Sequence, residues 1–276
     1  MEIGKVDILK SLKKEYRYYY GKIKAVDVIE GWLRILKDKD ICTYNHSCNV
    51  CYYTIAIAKE MEFSEEKLEN LASAALLHDI GKIYIPDSIL KKKGRLMEAE
   101  YRLIKEHSKI GSEILSGNER FKAIEGIVKY HHEYYDGLGY PEGLSGDNIP
   151  IGARILSIID AFDTITSDRC YKKAQSIDKG INELIRCSGT QFDPEIVEVF
   201  LKVLRNLIAI VKKEQLNINY DESQIELYMK IKEKKRRLSE EVKDRSDLLT
   251  DKIMKLSIEI DDMIVKYNHK RNEQAE

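Results

Sequence analysis

The sequence predicts an all-α fold, and three observations carry that prediction. Proline occurs only at Pro86, Pro141, Pro150 and Pro194 in a chain of 276 residues. Four of the 15 glycines fall together between Gly137 and Gly146. Long stretches elsewhere repeat apolar residues with the 3.6-residue period of a helix.

Residues 1–25 form a short leader rich in Lys and Tyr, read as one helix. Residues 26–205 follow as the body of the protein. Within it, Ser64 can cap a helix whose first turn carries Glu65 and Glu66, suited to the positive end of the helix dipole. Leu68, Leu71, Ala72, Ala75 and Leu76 then form one apolar stripe, and Gly81 acts as a stop signal. A second helix is expected from Ile151 to Thr166, with Ile155, Ile158, Ile159 and Phe162 inward. Between the two lies a turn-rich segment, Asp136 to Gly146, whose glycines imply unusual dihedrals or close approach. Residues 206–276 are highly charged and contain neither Gly nor Pro. There Leu249, Ile253, Leu256, Ile260, Met263 and Tyr267 alternate spacings of four and three, a short coiled-coil seam that predicts a homodimer contact through the C-terminal helices.

The bulk composition narrows the function. Hydrophobic residues make up 43% of the chain, enough for one core with an addition. Charged residues reach 34% but nearly cancel, leaving a net charge of −1. A global basic field for polymeric nucleic acid or a membrane surface is therefore excluded, and any anionic ligand must meet local cations. Five cysteines, an odd number in a long chain, fit reduced thiols better than a disulfide framework. Met1-Glu2-Ile3-Gly4-Lys5 opens no signal region, and the apolar run Leu207–Val211 is too short to span a bilayer. The expectation is a soluble, cytoplasmic protein without a membrane span.

Histidines point to the chemistry. Five of the six, His46, His78, His107, His131 and His132, fall in the body. A lone histidine on an apolar face is more often a hydrogen-bonded core residue than a ligand. Five beside Asp79 and Asp160 shift that balance, because clustered imidazoles and carboxylates suit divalent ions such as iron or manganese. Two such ions acidify a shared water and hold a phosphoryl group. Cys48 and Cys51 have redox or zinc spacing, but without a second pair or a strand–helix context they read as helix thiols.

Leu77-His78-Asp79-Ile80-Gly81-Lys82 resembles the signature of the HD superfamily of metal-dependent phosphohydrolases. His131-His132-Glu133 followed by Asp136-Gly137-Leu138-Gly139-Tyr140-Pro141 resembles the second signature of its HD-GYP branch. The likeness continues through Gly143-Leu144-Ser145-Gly146, Ile149-Pro150, Ala153-Arg154-Ile155, Asp160-Ala161-Phe162-Asp163 and Thr166-Ser167-Asp168-Arg169. It ends in Tyr171-Lys172 and Gln191-Phe192-Asp193-Pro194, and so covers roughly residues 35–200.

This resemblance implies an HD-domain helical bundle holding two divalent metals. His46, His78, Asp79 and Asp160 would hold one ion, while His107, His131 and His132 would hold the other and Asp79 would bridge. Adjacent histidines on a regular helix point about 100° apart, so the helix should end or loosen at His132. Catalysis would fall to Asp79 and Lys82. Lys82, Gly139, Tyr140, Asp163, Arg169 and Lys172 would contact substrate, with Arg169 and Lys172 clamping a phosphate and Asp163 also able to orient a ligand. Some family members hold a third metal through a glutamate one turn before the first histidine. Cys42 stands there in this chain, which favours two.

The implied activity is hydrolysis of cyclic di-GMP to linear pGpG and further to GMP. One alternative is a cyclic-dinucleotide-binding signalling protein with little turnover, which would not need His78, Asp79 and Lys82 intact. Another is a hydrolase of a different cyclic dinucleotide such as cyclic GMP-AMP.

Overall fold

The structure is a computed structural model that describes residues 5–21, 23, 25–168 and 173–213, together with isolated positions at 227, 230, 231, 233–235, 238, 259, 260, 262 and 263. The chain divides into two compact units, Ile3–Leu216 and Asn217–Glu276.

The first unit is built from helices α1 (Lys5–Tyr20), α2 (Val26–Lys39), α3 (Ile41–Glu60), α4 (Glu65–Leu77), α5 (Asp87–Leu90), α6 (Glu98–Lys105), α7 (His107–Ser116), α8 (Lys122–Tyr130), α9 (Ile151–Thr166), α10 (Ile177–Arg186) and α11 (Pro194–Lys213). Short 3₁₀ turns at Ile80–Tyr84, Glu119–Phe121 and Gly146–Asn148 connect some of them. No strand forms among the described residues, and an isolated bridge joins Ser188 to Phe192.

Helix α3 is central and packs against α4, α9, α2 and α1. Its Val50, Tyr53 and Ile57 are fully buried with Ile155, Ile158, Ile159 and Phe162 of α9 and Phe200, Leu201 and Leu204 of α11. The rings of Tyr53, Phe162 and Phe200 meet edge to face in a triangle with centroids 5.0–5.9 Å apart. That arrangement fixes α3, α9 and α11 relative to one another.

The two helices read from periodicity form where expected. Ser64 caps α4 by accepting from the Lys67 amide, and Leu68, Leu71, Ala72, Ala75 and Leu76 are buried. Helix α4 nevertheless stops at Leu77, ahead of Gly81. Helix α1, in the leader, lies within the first compact unit and packs on α3 and α11. Position 205 falls inside α11, whose Leu207 and Ile208 are still buried.

Cys48, Cys51 and Cys187 are free thiols. Cys42 is disulfide-bonded, which corrects the expectation of reduced thiols at that position. Burial pushes the Cys48 and Cys51 thiols up, so this pair is poorly nucleophilic. No helix among the described residues is long and apolar enough to cross a membrane.

In the second unit, Ile231 and Ile260 are buried and Lys234 pairs with Glu259. Of the expected seam, Ile260 and Met263 are described, whereas Leu249, Ile253, Leu256 and Tyr267 lie outside the described residues.

Candidate metal centre

Five segments deliver the candidate ligands. Helix α3 starts firmly because the Asp40 carboxylate accepts from the Cys42 and Thr43 amides and the Thr43 hydroxyl. This start sets the register that turns His46 inward. His78 caps the end of α4, and Asp79 leads into the 3₁₀ turn Ile80–Tyr84. That turn crosses α7 backbone to backbone. A Cβ on Gly81 would lie 2.0 Å from the His107 carbonyl oxygen and 2.7 Å from the Gly111 amide. Only glycine permits the approach, which brings His107 beside Asp79. Helix α8 ends at Tyr130, two residues before the expected His132, so His131 and His132 sit in the turn after it. Helix α9 presents Asp160 and Asp163 on one face.

These residues converge into two adjoining triads, His46–His78–Asp79 and His107–His131–His132, each with its ligand atoms within 4.8 Å of one another. Asp79 joins them, with Oδ2 3.5 Å from His78 Nε2 and Oδ1 3.3 Å from His107 Nε2. Asp160 Oδ1 stands 2.9 Å from His46 Nε2, and its Oδ2 lies 4.0 Å from His132 Nδ1. The side chains of His46, His78, Asp79, His107 and His131 are all buried.

The imidazoles are held in one tautomer. Nδ1 of His78, His107 and His131 donates to the carbonyl three residues earlier, those of Ala75, Ile104 and Val128, at 2.8, 2.6 and 2.6 Å. Their Nε2 lone pairs therefore face the centre. His107 Nε2 lies 3.4 Å from His131 Nε2 and 3.2 Å from His132 Nε2. Burial holds His107 down to about 3 and His132 to about 4, and drives His131 well below the usual imidazole range. At neutral pH all three rings are therefore uncharged, and the Nε2 lone pairs of His107 and His131 face each other with no proton between them. His78 Nε2 is buried without a hydrogen bond. Such crowding of acceptors is repulsive unless a cation lies among them, so the donor set fits divalent metal ions.

Carboxylates balance this arrangement. Burial alone would raise the Asp79 pKa, but Lys82 and the neighbouring imidazoles hold it well below the carboxylate range. Asp160 is likewise held low against burial, chiefly through His46. Lys82, expected to face a phosphate, places its ammonium 2.6 Å from Asp79 Oδ2. Asp163, expected at the substrate, is fully buried behind His46 and accepts from its Nδ1 at 2.6 Å.

The glycine-rich loop closes one side. Tyr140 stacks on the His132 ring with centroids 4.8 Å apart. A Cβ on Gly139 would lie 2.2 Å from the Tyr134 amide, so glycine is needed for the loop to fold back on itself. The sequence alone assigns Glu133 no task. Its buried carboxylate accepts from the amides of Glu142, Gly143 and Leu144 at 2.7–3.1 Å and so shapes the loop. Arg154, bridging Asp147 and Asp193, ties the loop's far end to the start of α11. Arg169 and Lys172 lie outside the described residues.

A family model described as HD domain matches residues 32–196, and a second, described as Spo0E like sporulation regulatory protein, matches residues 227–269. The chain is 44% identical over 148 residues to the cyclic di-GMP phosphodiesterase response regulator RpfG of Xanthomonas campestris, covering 53% of this chain and 39% of that protein. It is 37% identical over 191 residues to a cyclic di-GMP phosphodiesterase of Thermotoga maritima, covering 68% and 52%. A 3′3′-cGAMP-specific phosphodiesterase of Vibrio cholerae is 36% identical over 180 residues, covering 65% and 39%. The chain thus spans about half the length, or less, of these relatives. Among solved structures, a cyclic GMP-AMP specific phosphodiesterase of Vibrio cholerae shares the fold with TM-score 0.53 at 21% identity, covering 67% of this chain and 50% of that one.

Proposed function

The chain belongs to the HD domain family, and on that footing we propose that it is a metal-dependent phosphodiesterase hydrolysing cyclic di-GMP to linear pGpG and onward to GMP. The observation that carries this reading is the convergence of five imidazoles and two carboxylates, in which the bare Nε2 atoms of His107 and His131 lie 3.4 Å apart and His132 Nε2 lies 3.2 Å from His107 Nε2. His46, His78, Asp79 and Asp160 would hold one ion, and His107, His131 and His132 a second, with Asp79 shared. Iron or manganese suits this nitrogen-rich, cysteine-free donor set. Bound there, the ions would supply an acidified water and positive charge beside the phosphoryl oxygens.

The protein's own groups do the rest. Nδ1–H bonds to backbone carbonyls keep the imidazoles aimed inward. Lys82 neutralises Asp79 and stands where it can turn to a phosphate oxygen once substrate enters. Tyr140, held by the Glu133-organised loop and by His132, would contact the substrate beside Lys105, whose ammonium lies 4.9 Å from its ring centroid. Arg169 and Lys172 would clamp the second phosphate. Arg169→Ala and Lys172→Ala should each raise KM for cyclic di-GMP by roughly 10- to 100-fold, for about 1.5–3 kcal/mol of charge-assisted contact. Metal content should stay unchanged, and a variant that loses its metals would show the residue to be structural.

A panel of cyclic dinucleotides assayed with the purified chain tests the substrate. Linear pGpG should appear fastest from cyclic di-GMP. Cyclic GMP-AMP is the second reading, favoured by the Vibrio cholerae relative, and faster turnover of it would replace the first. No turnover of either, with tight binding of both, would leave a signalling receptor.

The C-terminal unit is proposed to dimerise through its helices, on the four–three spacing from Leu249 to Tyr267, although Ile260 of that seam is already buried within the single chain. Truncation after Leu216 should convert a dimer to a monomer in light scattering while metals and most turnover remain. A truncated protein with the same subunit number as the full chain would contradict this.

A further inference from the structure

The first helix reaches into the back of the candidate centre. Lys5, in the first turn of α1, places its ammonium on the Asp163 carboxylate, 2.6 Å from the Ser167 hydroxyl and 3.4 Å from the Asp163 carbonyl. The side chain is only 10% exposed, and its ammonium lies 5.9–6.0 Å from the Phe162 and Tyr53 ring centroids. A lysine buried among aromatic faces is costly unless its charge is compensated. Here the compensation is Asp163, and Asp163 in turn holds His46 Nδ1 at 2.6 Å, leaving Nε2 to face the centre. Ser167 accepts from Lys5 and lies 3.2 Å from both Asp163 oxygens, which closes the network.

The chain Lys5–Asp163–His46 spans 158 positions and starts outside the region that the HD domain model matches. We propose that Lys5 is a positioning residue of the metal centre, recruited from the first helix to fix Asp163 and, through it, the direction of His46 Nε2. The proposal rests on the two-metal reading. Without the ammonium, the buried carboxylate would lose the lysine that holds it from behind and could rotate away from His46. The imidazole would then be free to turn, and the ion held by His46, His78 and Asp79 would bind more weakly. The ion held by His107, His131 and His132 has no contact with this network and should be retained.

Manganese titration of metal-free full-length protein, read by equilibrium dialysis, tests this without any assay of turnover. Wild type should bind two ions. Lys5→Met should weaken one of them by about 10- to 100-fold, the range for removing a residue that orients a ligand, and leave the other unchanged. Lys5→Arg should restore much of the affinity, which a purely structural role for the side-chain stem would not explain. Should Lys5→Met fail to fold, Ser167→Ala removes the hydroxyl between Lys5 and Asp163, and it should weaken the same ion by a smaller factor. Two ions bound to Lys5→Met, or to Ser167→Ala in its place, as tightly as to wild type would overturn the proposal alone. Wild type that binds no metal would overturn the two-metal reading and this proposal together.

Discussion

Asp79→Ala is expected to lower phosphodiester hydrolysis by at least about a thousand-fold, more than any other single ligand change. Asp79 is the carboxylate that touches both triads, at 3.5 Å from His78 and 3.3 Å from His107. It is also the partner of Lys82, whose side chain is 15% exposed. Alanine would therefore separate the two sites and strand a buried ammonium beside the remaining imidazoles, where it would repel a cation. Metal content should fall together with turnover. His132→Ala, at the more exposed edge of the second triad, should cost less on both counts. An Asp79→Ala protein within ten-fold of wild-type turnover would show that the carboxylate does not bridge.

Gly81→Ala should be the most damaging single-methyl substitution near the site. The added Cβ would fall 2.0 Å from a backbone oxygen and 2.7 Å from a backbone nitrogen, neither of which can yield as a flexible side chain would. The 3₁₀ turn and α7 would have to separate, moving His107 away from Asp79. Overpacking of this kind typically costs about 1–3 kcal/mol, and backbone-on-backbone overlap belongs at or above the top of that range. For a unit of this size, 3 kcal/mol lowers the melting temperature by roughly 6–12 °C. Circular dichroism melting checks the stability, and metal titration of the folded fraction checks the loss at the second triad. A melting temperature within 2 °C of wild type would mean that the turn relaxes freely.

The parts legible in the sequence are those written in local spacing. Ser64 with Glu65 and Glu66, then a 3.6-residue stripe, specifies α4 with no help from the rest of the chain. Ile155, Ile158, Ile159 and Phe162 do the same for α9. The seven candidate ligands were identified through motif order, and the structure brings them together. Local signals do not carry long-range partners. Lys5 looks like any lysine in a charged leader until the fold sets it on Asp163. Asp163, three residues after Asp160, could be assigned to substrate or to a ligand from spacing alone, and only its burial behind His46 separates those tasks. The motif sets Lys82 beside a phosphate, and nothing local in it shows the Asp79 carboxylate 2.6 Å away. Glu133 sits beside two histidines, yet its task depends on amides nine to eleven residues further on. Helix ends were also displaced, since α4 stops when its end enters the centre rather than at the next glycine.

The most direct test of the two-metal centre is elemental analysis of the full chain purified without oxygen, combined with its rate of cyclic di-GMP hydrolysis. The arrangement of His46, His78, Asp79, Asp160, His107, His131 and His132 predicts about two divalent ions per chain, iron or manganese, with activity lost on chelation and restored by either metal. Fully active protein carrying one ion or none would contradict it.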